Sequence, residues 1–155
     1  MECIEKDSLY HIFSQVIRLH YYRTHKLLEK VGVYPGQPPM LMALHIKDGQ
    51  SQKELSDKLN IKPATITMML KRMEKFDLVE RKVDAEDQRV VRVYLTEQGK
   101  NLSKEVIQIM KIINQECFSN FTEEEKVLLR RLLMQMKDNL EEVCDKKLDM
   151  QSQEN

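Results

Sequence analysis

Leu9, Ile12, Phe13, Val16 and Leu19, followed by Leu27, Leu28 and Val31, recur at the spacing of one helical face. Asp7 or Ser8 stands where a helix cap belongs. Gly32 and the run VYPGQPP end the pattern, because proline cannot continue a helix. The spacing predicts a first helix of about 23 residues. A shorter helix is predicted from about Pro39 to Lys47, closed by Asp48-Gly49. Ser51 then caps a helix carrying Leu55 and Leu59. Asn60, Ile61 and Lys62 form a tight turn, and Pro63 opens the next helix at its first position, where a missing N–H is no loss. That helix carries Ile66, Met69, Leu70 and Met73 inward. At Asp77 the chain must enter the left-handed region, which Asp tolerates better than most residues, though less well than Gly.

The pattern then changes. LVERKV and RVVRVYL are short, rich in β-formers and partly alternating, and the polar turn Asp84–Gln88 joins them as a hairpin. Thr96 caps a helix with Leu102, Val106, Ile109, Ile113 and Cys117 on one stripe. Thr122–Glu125 has capping-box spacing. Behind it come Leu128, Leu129, Leu132, Leu133, Met136, Leu140 and Val143, and the polar tail DMQSQEN is expected to fray. The predicted order is α-α-α-α-β-β-α-α, a mainly α chain with a small β-hairpin (α+β).

Composition narrows the picture. The 155 residues suit one domain, and 41% apolar residues are enough for a core. No stretch approaches the roughly 18 apolar residues of a membrane span. The acidic start MECIEKDSLYHIF does not read as a secretory signal, so a cytoplasmic protein is expected. The net charge is zero, yet Ser51–Phe76 holds 6 basic and 3 acidic side chains. Positive charge concentrated there is compatible with a nucleic-acid partner.

Helices Gln52–Leu59 and Pro63–Phe76, joined by a three-residue turn, have helix-turn-helix spacing. Leu55, Leu59, Ile61 and Ile66 must hold them together, and Ser56 must be small where they approach. Lys62, Ala64, Thr65, Thr67, Met68, Lys71 and Arg72 are left on exposed or N-terminal positions. Small and hydroxyl side chains let a helix approach base edges, and Lys and Arg neutralise phosphates. A helical pair followed at once by a two-stranded ribbon is a winged helix. Its turn can reach a minor groove, which attracts arginine.

Residues Ser51 to Gly99 resemble the MarR family of winged-helix transcription regulators. QKELSDKLNIKPATITMMLKRMEKFDLVER is similar to the family's helix-turn-helix and first wing strand. DAEDQRVVRVYLTEQG is similar to its wing, with an Asp-x-Arg element at Asp87-Gln88-Arg89 and a Leu-Thr-x-x-Gly close at Leu95–Gly99. Helix order and length extend the likeness over about residues 8–147. The resemblance implies that Arg89 enters the minor groove, that Asp87 orients it, and that Thr65, Thr67, Met68 and Arg72 lie on the recognition helix. The chain departs from the family's pattern at Asp77, where glycine is frequent, and at Met68, where arginine is. Both departures bear on which sequence is read.

The first and last two helices have more apolar surface than a domain this small can bury, so a homodimer is expected. Residues 1–36 and 97–155 would then form a helical dimerisation region, and 37–96 the winged helix-turn-helix, in one compact unit. A two-fold dimer sets recognition helices roughly 34–36 Å apart and calls for a pseudo-palindromic double-stranded DNA site. The resemblance also implies repression and a small aromatic or other effector, held in a cleft that His11, Tyr21, Tyr22, Met42 and His45 could line; core packing is the plainer role for each. Ten methionines suit an adaptable pocket and plain packing equally.

The remaining chemistry is sparse. Cys3, Cys117 and Cys144 lack metal or disulfide spacing, and the latter two lie on apolar stripes that suggest inert packing. The histidines form no ligand pair. A calcium loop starting at Asp84 would need Gly and Glu where Arg89 and Leu95 stand. No nucleophile–base pair or phosphate loop is present, so an enzyme, a cofactor or a metal is not expected. A thiol- or metal-responsive regulator of the same fold and a winged-helix protein-interaction module are the alternatives.

Overall fold

A computed structural model describes the backbone over residues 7–34 and 36–153, and side chains over the same residues up to Cys144. Among the described residues, six helices and three strands follow in order: α1 (Leu9–Lys30), α2 (Gln37–Ile46), β1 (Gln50–Ser51), α3 (Gln52–Leu59), α4 (Pro63–Lys75), β2 (Val79–Val83), β3 (Val91–Leu95), α5 (Glu97–Phe118) and α6 (Glu123–Gln153). Cys3 lies outside the described residues. The helical backbone runs to Gln153, through most of the tail whose polarity predicted fraying.

Local chemistry accounts for the helix boundaries. The Ser8 hydroxyl accepts from the His11 amide at the start of α1. Ser51 and Glu54 form a reciprocal capping box on α3, and Thr122 and Glu125 bond each other's backbone amides at α6. The Thr96 hydroxyl accepts from the Gly99 amide in the first turn of α5. Asn60 and Asp77 both adopt left-handed backbone, with φ of 51° and 53°, and so turn the chain out of α3 and α4. One expectation changes. α2 begins at Gln37, two residues before the predicted start at Pro39, so Pro38 and Pro39 both sit inside its first turn, where unpaired amides are normal.

The sheet has three strands rather than the two of a simple hairpin. Its order is β1-β3-β2, all antiparallel. Gln50 pairs with Val93 and Ser51 with Arg92, so β3 is central. Gln50 is buried because its side-chain amide donates to the carbonyls of Ala43 and Lys47 at the end of α2.

The chain packs as two compact units, Met1–Ile113 and Asn114–Asn155. The core of the first draws Met40, Leu41 and Leu44 from α2, Leu55 from α3, and Ile66, Leu70 and Met73 from α4. Val93 and Leu95 of β3 and Val106, Ile109 and Ile113 of α5 complete it. The boundary between the units falls after Ile113, within α5, because Val106, Ile109 and Ile113 pack into the core of the first. The second unit holds the end of α5 and all of α6. There Leu128, Leu132, Leu133, Leu140 and Val143 are exposed. Cys117 and Cys144 are exposed too, contrary to the expected inert packing, because no described residue covers the faces they occupy.

Candidate nucleic-acid interface

The helix-turn-helix is held as its sequence requires. Leu55 and Ile66 are fully buried, Leu59 and Ile61 pack against the core, and buried Ser56 donates its hydroxyl to the Ile61 carbonyl across the turn. With Ile66, Leu70 and Met73 facing in, α4 presents Ala64, Thr65, Met68, Lys71 and Arg72 to solvent. Lys62, the N-cap, is exposed beside them. Thr67 is half-buried and its hydroxyl donates to the Pro63 carbonyl at 3.0 Å, so its proton is engaged within the helix.

The wing is tied to the helix-turn-helix by two arginines that the sequence did not single out as braces. Arg81 of β2 makes a bidentate pair with Glu74 of α4, at 2.8 and 2.6 Å. Arg92 of β3 bonds the Asp84 carboxylate and the Gly49 carbonyl, the latter at 3.1 Å, and lies 3.8 Å from Glu54 of α3. Asp84 also accepts from the amides of Glu86 and Asp87, both at 2.9 Å, which shapes the turn. Its charge is thus paired with Arg92, while Glu86 stays exposed at the tip. The tip is longer than the turn predicted from Asp84 to Gln88, since β3 resumes at Val91.

Asp87 and Arg89 are brought together. An Asp87 carboxylate oxygen accepts the Arg89 amide at 3.0 Å and lies 3.8 Å from its Nε. The Arg89 side chain is otherwise 95% exposed.

The Arg92 guanidinium, and after it the amides of Asp87 and Glu86, hold the Asp84 carboxyl at about 2, below its usual 3.8. A depressed carboxylate contributes its full stabilisation above 3.8 and loses it as pH falls through 2. The turn should therefore stay intact at pH 5 and loosen only below about 3.8. Carboxyl NMR shifts of Asp84 would show this. In Arg92→Ala the titration should move up toward 3.8, and an unmoved midpoint would show that Arg92 is not its cause.

The MarR family model matches residues 34–91, the stretch from just before α2 to the first residue of β3. An uncharacterized HTH-type transcriptional regulator of Bacillus subtilis, YsmB, is 31% identical over 137 residues, covering 88% of this chain and 90% of its own. The chain belongs to the MarR family. The HTH-type transcriptional repressor MdtR of B. subtilis is 33% identical over 98 residues, 63% of each chain. The Staphylococcus aureus MepR–DNA complex superposes with a TM-score of 0.76 over 84% of this chain and 97% of that one, at 24% identity, and so shares the winged-helix fold. Both B. subtilis relatives are named as transcriptional regulators.

This MarR chain does not gather the five candidate effector residues into one described cavity. Tyr21 and Tyr22 are exposed on α1, one beside the His25 ring and the other under Lys26. His11 is half-buried and bonds Gln15 at 2.6 Å. Met42 packs against the core. His45 Nδ1 lies 2.8 Å from the Ser103 hydroxyl, which also lies within hydrogen-bonding distance of the Lys100 carbonyl. A cavity of about 680 Å³ in the second unit, walled by Phe118, Leu129 and Leu133, uses none of the five. Neither does one of about 570 Å³ in the first, walled by Tyr34, Phe76 and Leu102. Among the described residues no cluster of His, Cys, Asp or Glu could hold a metal ion, and no helix is long and apolar enough to cross a membrane.

Proposed function

We propose that this MarR chain is a cytoplasmic, DNA-binding transcriptional repressor that acts as a homodimer on a pseudo-palindromic operator and is released by a small-molecule effector. The observation that carries the DNA-binding reading is one braced unit presenting two unlike contacts. The outward face of α4 offers small side chains and three cations, Lys62, Lys71 and Arg72, while the wing tip holds out an almost fully exposed Arg89. The first suits a major groove and the second an adjacent minor groove. Structures of this fold include one solved with DNA, and one relative is named a repressor.

Dimerisation is supported by the apolar side chains that α1 and α6 leave in water, among them Leu9, Val16, Leu128 and Leu132. The dimerisation region would comprise 1–36 and 97–155, around a winged helix at 37–96. An effector site using exposed Tyr21 and Tyr22 needs a further wall, which a second copy would supply.

Binding of the purified protein to fragments selected from its source genome tests the reading. We expect dimeric sedimentation, a pseudo-palindromic site, and an affinity that falls steeply with salt. Leu128→Asp combined with Leu132→Asp should give a helical monomer whose operator affinity is lower by on the order of 100-fold, because the half-sites are no longer linked. Absence of DNA binding at low salt would refute the regulator reading, and a dimeric double variant would refute the assigned interface.

A further inference from the structure

Met68 is an apolar side chain with no task in the fold. It is 65% exposed and stands outside the buried cluster. At about 100° per residue it lies opposite the inward stripe of Ile66, Leu70 and Met73, in the middle of the outward face of α4. Ala64 precedes it by one turn, Thr65 flanks it, and Lys71 and Arg72 follow on the next turn. If α4 enters a major groove with its cations toward phosphates, Met68 is the longest side chain left to meet the base edges between them.

What it can read there is set by its chemistry. A thioether donates no hydrogen bond and accepts only weakly. It cannot bond guanine N7 and O6 as arginine does, nor pair with adenine as an amide does. The one apolar group displayed in the major groove is the C5-methyl of thymine. Ala64 keeps the approach close and adds a second small apolar surface, and the Thr67 hydroxyl proton is already engaged with Pro63. We infer that Met68 is a specificity-determining residue that packs on a thymine methyl, so that each operator half-site places a thymine beneath it. This inference rests on the DNA-binding reading above.

The test removes one methyl at a time. Once a site has been selected from random duplex DNA, each thymine is replaced singly by deoxyuridine, which keeps the pairing and deletes the C5-methyl. Affinities are measured for the native chain, Met68→Ala and Met68→Leu. At one thymine per half-site the native chain should lose about 3- to 10-fold on losing the methyl, a loss of the size expected for burying one such group. Met68→Ala should bind the thymine and deoxyuridine sites equally, and Met68→Leu should still tell them apart. The residue is exposed and alanine favours helix, so the alanine variant should fold. A native chain indifferent to every methyl, or a Met68→Ala chain that keeps the native discrimination, overturns the inference while DNA binding stands. A chain that binds no DNA at low salt overturns both.

Discussion

Gly99→Ala should lower the melting temperature by about 6–12 °C, the equivalent of about 3 kcal/mol for a chain of this size. The cause is space. A Cβ at Gly99 would stand 1.9 Å from the Leu78 carbonyl oxygen and 2.9 Å from its carbon. Both are backbone atoms, so no side-chain rotation relieves the clash. Either the first turn of α5 must lift or the corner between α4 and β2 must give. That corner is where the Thr96 amide bonds the Leu78 carbonyl at 3.2 Å and the Thr96 hydroxyl bonds the Asp77 carbonyl. Lifting α5 would also disturb Val106 and Ile109, which seal the core behind α4. A thermal melt followed by circular dichroism reads the effect. A midpoint within about 2 °C of the native value would show that α5 does not seat against Leu78.

Arg89→Ala should leave the melting temperature unchanged and weaken operator binding by about tenfold or more, on the order of 1.4 kcal/mol. The side chain is 95% exposed and its nearest ionic partner is Asp87 at 3.8 Å, so the fold loses almost nothing with it. The Asp87 carboxylate stays bonded to the residue 89 amide, which keeps the tip in shape. What disappears is the one cation at the tip of the wing, between exposed Glu86 and the strand. Anisotropy titrations at several salt concentrations measure both affinity and salt slope, and the slope should become shallower. Asp87→Asn keeps an amide acceptor and should cost less. Unchanged affinity in Arg89→Ala would show that the wing does not touch DNA.

The helices and their order were legible because their starts carry side-chain chemistry. Ser8, Ser51, Thr96 and Thr122 each announce a first turn. Asp77 was legible as a left-handed residue for the same local reason. What stayed hidden depends on partners far along the chain. Gln50 and Ser51 form a strand although two polar residues have no periodicity; the carbonyls at the end of α2 and the edge of β3 make it. Asp87 was expected to orient Arg89, and its carboxylate does accept the Arg89 amide, but the pairing of Asp84 with Arg92, eight residues on and across the ribbon, was not foreseen. The apolar stripe of Ile66, Leu70 and Met73 also fixed which α4 residues face out. The five candidate effector residues lacked any such constraint, and the structure scatters their partners.

The strand order β1-β3-β2 gives β3 a neighbour on each side and leaves β2 with an open edge. An open edge is a template onto which another chain's strand can be added. Here that edge runs through Glu80, Arg81 and Lys82, three charges in succession, and ends at a polar, bent tip. Strand addition there would require those charges to be desolvated or matched. The ribbon is therefore blunted against growing into a continuous sheet at high concentration.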